Sequence, residues 1–146
     1  MDCIEIIIAG VALYGAILST WNFIRNIRSR KRKLTVQIKE GSSGSGQEII
    51  NMWIKNPPGY ATVTFDSPQF ILPNDEVLVI GNPLNDVRFP YELAGGNHCP
   101  IIYLKQDVKR GAKSFGYSGV IELRAKVLDG ADKVYVSKKP FNLNLS

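Results

Sequence analysis

Histidine is nearly absent from this sequence and cysteine is scarce: His98 is the one imidazole, and Cys3 and Cys99 are the two thiols. That scarcity excludes most built active sites. A hydrolytic triad needs a Ser or Cys nucleophile beside a positioned His. The one adjacent pair, His98 and Cys99, opens a strand, where neighbouring side chains point to opposite faces. An exposed His and a core Cys is the expectation. One His and two distant Cys offer no zinc spacing. The two thiols lie too far apart along the chain's organisation to pair, and free thiols suit a reducing compartment. Glycine-rich phosphate cradles are missing too, because the Gly/Ser run at 41–46 is followed neither by Gly-Lys-Ser/Thr nor by a helix, and it reads as a hairpin loop. Asp75 and Glu76, and Asp129 and Asp132, fall at turns, where Asp is favoured for its local backbone hydrogen bonds. No catalytic, cofactor-binding or metal site is expected, and the chain is not expected to be an enzyme.

Acidic residues are missing from one stretch in particular. Arg25, Arg28, Arg30, Lys31, Arg32 and Lys33 follow one another with no Asp or Glu among them. They are six of 18 basic residues, which leaves 12 basic against 13 acidic in the rest of the chain. The net charge of +5 therefore belongs to a single block, and the remainder is close to neutral. A nucleic-acid module would spread its cations over a folded face among aromatics, so nucleic acid is not an expected partner.

What precedes that block is a run of 21 mostly apolar residues, 4–24. As a helix it measures about 31 Å, enough for a bilayer's hydrocarbon core. A cleavable signal peptide would begin with positive charge and carry a shorter apolar region. Here Asp2 and Glu5 stand at the front and the cations come after. A core helix is the alternative, but a small domain rarely encloses a helix that is apolar on every side. The reading is a transmembrane helix over 1–24, a basic juxtamembrane linker over 25–33 and a globular domain over 34–146. Lys and Arg stay on the cytoplasmic side of a span. The amino end is therefore expected outside and the domain in the cytoplasm, at a cell inner membrane. Trp21 falls at the inner interface, and with Arg25, Arg28, Arg30, Lys31, Arg32 and Lys33 it forms the expected contact with anionic lipid headgroups. Ala12, Gly15, Ala16 and Ser19 share one helix face at i, i+3, i+4 and i+7, a small-residue surface for helix–helix contact or homo-oligomer formation.

From Leu34 onward the pattern alternates. Strands are expected over 34–39, 49–56, 60–65, 69–72, 77–80, 87–93, 99–104, 120–127, 133–137 and 141–145, with turn chemistry between them. Val108, Ala112 and Phe115 predict a short helix after 104, and it gathers a second basic group of Lys105, Lys109, Arg110 and Lys113. Whether that group meets solvent, lipid or protein is open from sequence. Many short strands with one helix make a mainly β fold, an antiparallel sandwich or barrel.

Several stretches carry a resemblance: Arg30-Lys31-Arg32-Lys33-Leu34-Thr35-Val36, Ile54-Lys55-Asn56 with Thr62-Val63-Thr64, and Pro90-Tyr91-Glu92-Leu93 with Gly95. Ile121-Glu122-Leu123-Arg124-Ala125-Lys126-Val127-Leu128-Asp129 and Tyr135-Val136-Ser137-Lys138-Lys139-Pro140-Phe141 complete them. In layout the chain resembles small bacterial membrane-anchored proteins with one N-terminal helix and an Ig-like β-sandwich. The resemblance implies an Ig-like antiparallel β-sandwich without the paired cysteines of antibody-type domains, and it brings no activity. The expected role is a non-enzymatic interaction module that presents its sandwich to an unknown protein partner. The alternatives are a small subunit of a larger defence or transport complex assembled through its helix, and a soluble or viral structural protein.

Overall fold

The computed structural model describes residues 2–146, apart from the side chain of Arg28. Helix α1 spans Cys3–Arg30 and nothing in the rest of the chain buries it. It is mostly apolar over Cys3–Ile27, with no Pro to stop it and Thr20 and Ser29 hydroxyls donating back to the carbonyls of Ala16 and Asn26. The stretch read as a linker thus stays helical as far as Arg30. At 28 residues the helix is about 42 Å long, some 12 Å more than a hydrocarbon core. Its last turns carry Arg25 and Arg30, where cations also complement the helix dipole. It is no core helix of this domain.

The strands are β1 (Thr35–Ser42), β2 (Glu48–Lys55), β3 (Val63–Phe65), β4 (Gln69–Ile71), β5 (Val77–Leu78), β6 (Tyr91–Leu93), β7 (His98–Leu104), β8 (Val120–Leu128), β9 (Val134–Val136) and β10 (Phe141–Asn144), with helix α2 (Lys105–Ser114) after β7. All pairings are antiparallel. One sheet runs β1-β2-β7, a second β10-β8-β4-β5 with β9 also on β8, and β3 pairs with β6. Alternation fixes which face is buried: Val36 in β1, Ile50, Met52 and Ile54 in β2, and Cys99, Ile101 and Tyr103 in β7 point inward. Ile121, Leu123, Ala125 and Val127 from β8 meet them in one shared core. Val108 and Ala112 of α2 close one end of it.

Several expected strands are shorter than their composition predicts: 77–80 keeps only Val77–Leu78 and 133–137 only Val134–Val136. The 60–65 strand begins only at Val63; Asn56 Nδ2 holds the Ala61 carbonyl at 2.8 Å and the Leu93 carbonyl at 2.8 Å, which takes the Ala61 carbonyl out of the ladder. The 87–93 strand begins at Tyr91. Pro90 supplies no ladder donor, and Phe89 packs against Phe65 at 6.0 Å instead.

Candidate membrane-proximal site

The junction between α1 and the domain is built from both. The Lys31 carbonyl accepts the Ala61 N–H at 3.1 Å, and the Arg32 carbonyl accepts Lys133 Nζ at 3.1 Å. Lys33 Nζ stands 5.5 Å over the Tyr60 ring, and Leu34 is buried in the core. Four successive residues are therefore held by the domain as soon as the helix ends. The turn at 57–60 comes back beside the helix, where Gly59 lines a hollow of about 230 Å³ together with Trp21, Ile24 and Arg25. Gly59 has φ +82°, a left-handed conformation that the Pro-Pro-Gly turn needs glycine to reach. Gly95 lies under this turn, and a Cβ there would meet the Tyr60 carbonyl oxygen at 2.5 Å.

Asp129 anchors the other wall. Its buried carboxylate accepts the N–H groups of Ala131 (2.8 Å) and Lys133 (3.0 Å), and the Tyr135 hydroxyl at 3.1 Å. Burial by itself pushes the carboxyl pKa up. The N–H groups of Lys133 and Ala131, the Tyr135 hydroxyl and the charge of Arg32 outweigh it and hold Asp129 below the ordinary aspartate value. Burial, followed by the hydrogen bond and charge of Asp129, pushes Tyr135 up to about 12. Asp132 takes φ +59° in the turn that brings Lys133 into place, a conformation that short polar side chains tolerate.

Of the residues expected at the headgroups, Trp21, Arg25, Arg30, Lys31, Arg32 and Lys33 are exposed along the end of α1 and the junction, and the side chain of Arg28 lies outside the described residues. Lys133 and the 57–60 turn join them, which no spacing in the sequence shows. Ala12, Gly15, Ala16 and Ser19 are exposed too, with open space around Gly15.

The second basic group is placed elsewhere. β1 runs away from the junction for about 23 Å by strand rise, and α2 stands at its far end, beyond the Ile49–Leu104 pair. Lys105 is already ion-paired with Glu40 and, at 3.3 Å, with Glu48; the bond to Glu40 raises its pKa despite partial desolvation. Arg110 faces Asp107 at 3.4 Å, and Lys109 Nζ donates to the Ser146 carbonyl at 3.3 Å. Three of the four cations thus have internal partners.

His98 is exposed and stacks on Trp53 at 5.1 Å, whereas Cys99 is buried, so the two do not face each other. Among the described residues no group of three or more His, Cys, Asp or Glu gathers in metal-binding range.

These features define a class by form: an antiparallel β domain carried on an N-terminal apolar helix long enough to cross a membrane. No protein-family model matches the chain, and no curated protein matches it either. The resemblance to membrane-anchored Ig-like proteins therefore rests on layout, the apolar helix followed by a sheet-rich domain. Among solved structures, "The archaeal flagellum of Methanospirillum hungatei strain JF1" has a chain that aligns with TM-score 0.48 and 13% identity, over 97% of this chain and 84% of that one. A likeness of that degree carries no functional inference.

Proposed function

We propose that this protein is a non-enzymatic, single-span membrane module that holds an Ig-like sandwich on the cytoplasmic side for a protein partner. The observation that carries the reading is α1: an apolar helix whose described residues all stay exposed, beside the domain only at the 57–60 turn, ending in cations that lead directly into the junction. An apolar helix exposed all round has to be covered by lipid or by other helices. The cations at its carboxyl end favour the orientation with the amino end outside. Trp21, the junction lysines and arginines, and Lys133 then meet anionic headgroups.

The cysteines provide the test, because Cys3 is exposed on α1 and Cys99 is buried. A membrane-impermeant maleimide applied to intact cells is expected to label the chain at Cys3, with the protein resisting carbonate extraction. A chain that stays in the supernatant, or that is labelled only after lysis, overturns the reading.

A second reading, a subunit assembled into a larger complex through the helix, draws on the open face of Ala12, Gly15, Ala16 and Ser19. Gly15→Leu separates the two. Lost assembly with unchanged membrane insertion favours the second reading, and unchanged assembly favours the first.

A further inference from the structure

The two outer edges of the β1-β2-β7 sheet are not treated alike. The outer edge of β7 is sealed: Leu84 N–H donates to the Ile102 carbonyl at 2.7 Å, Asn85 Oδ1 accepts the Ile102 N–H at 3.2 Å, and Asn85 Nδ2 donates to the Pro100 carbonyl at 2.7 Å. The outer edge of β1 is not. β1 pairs only with β2, and among the described residues no other main-chain hydrogen bond reaches residues 35–42. Every second residue along this eight-residue strand therefore offers an N–H and a C=O outward.

Beside that edge lies a cleft of about 420 Å³. One wall is β1, including Gln37 and Lys39. The other is the segment 137–140, which interrupts β9 and β10: Ser137 is still bonded to Ala125 of β8, and Lys138, Lys139 and Pro140 are exposed. No acidic side chain lines the cleft. The acid nearest on β1, Glu40, is held by Lys105. Lysines along an open edge deter pairing with another copy of the same strand. The same lysines attract one class of strand, an acidic one.

We infer that the β1 edge is a docking site for an extended acidic protein segment, which adds to the sheet as a strand while its carboxylates meet Lys39, Lys138 and Lys139. The main chain supplies the pairing and the lysines supply the selection. This inference deepens the reading of the domain as a partner-binding module and names the chemistry of the partner.

The test uses the full chain in phosphatidylcholine nanodiscs and a fluorescent decapeptide of alternating Glu and Val. Saturable binding is expected, at least tenfold weaker for a Lys/Val decapeptide, for the K39E/K138E/K139E variant, and for the Glu/Val peptide N-methylated at alternate residues. If the triple variant does not fold, K138Q/K139Q takes its place, with at least threefold weakening expected. Equal binding of the N-methylated peptide would show attraction by charge alone and overturn the inference. So would no binding of the acidic peptide, or binding of phosphatidylserine vesicles through these lysines in its place. A partner captured from cell extract equally by wild type and the lysine variant removes this inference and leaves the anchored-module reading standing. Failure of Cys3 labelling removes that reading and says nothing of the β1 edge.

Discussion

At the scale of single residues, the junction depends on two that carry no chemistry of their own. Asp129 satisfies two backbone N–H groups and a buried hydroxyl at once. Asp129→Ala leaves all three without their acceptor, and about 3 kcal/mol of destabilisation is expected in urea unfolding of the full chain in detergent. The pH dependence has a definite sign. Because the folded carboxyl binds its proton less readily than the unfolded one, its contribution is complete above the ordinary aspartate pKa and is lost as the pH falls through the lower, folded value. The wild type should lose stability on acidification across that range, and Asp129→Ala should lack this component of the loss. At Gly95 the limit is space, since an added methyl meets a carbonyl oxygen. Gly95→Ala is expected to lower the unfolding midpoint by about 1–3 kcal/mol equivalent. Gly44→Ala, in open space on the hairpin loop, should change it little.

At the scale of elements, what was legible in the sequence was whatever repeats locally. Residues 120–127 alternate without interruption and form β8; the span of α1 is a continuous apolar run; Val108 and Ala112 mark the buried face of α2. The end of α1 was not legible, because charge suggests a solvated linker, whereas arginine is also a good helix former. The fate of Lys105 was not legible either. Its partners Glu40 and Glu48 lie on β1 and β2, more than fifty positions away in sequence, and only strand pairing brings them to the start of α2. From that placement follows a prediction for the element. Lys105→Met should reduce stability by about 0.5 kcal/mol, less at high salt, because both carboxylates remain exposed to water. Binding to phosphatidylserine vesicles should be unchanged, while Lys31→Glu with Lys33→Glu should weaken it. Equal weakening by both would place α2 at the headgroups and contradict the arrangement of the sheet.

At the scale of the whole molecule, the question is whether the domain hangs from the helix or is set by it. A tether would leave residues 31–34 free. Instead the carbonyls of Lys31 and Arg32 accept hydrogen bonds from the domain, Lys33 lies over Tyr60, and Leu34 is a core residue. None of these contacts is strong alone, but they fall on consecutive residues, so the chain leaves the helix with little conformational freedom to lose. The turn at 57–60 is then held level with Trp21, the residue suited to the interface, and the Ser43–Gly46 hairpin is held at the other end of β1. Gadolinium chelated on lipid headgroups in a nanodisc should therefore broaden the amide signals of Gly59, Tyr60, Asp132 and Lys133 and leave those of Gly44, Ser45 and α2 sharp. Leu34→Ala combined with Lys133→Ala removes one core side chain and one hydrogen bond from the junction, and should spread the broadening across the domain. Uniform broadening already in the wild type would show a domain that tumbles on a tether. The same experiment bears on the β1 edge, which runs away from the junction. Broadening confined to the junction end would show that the β1 edge keeps one orientation to the lipid surface, and broadening that reaches Gly44 would show that it does not.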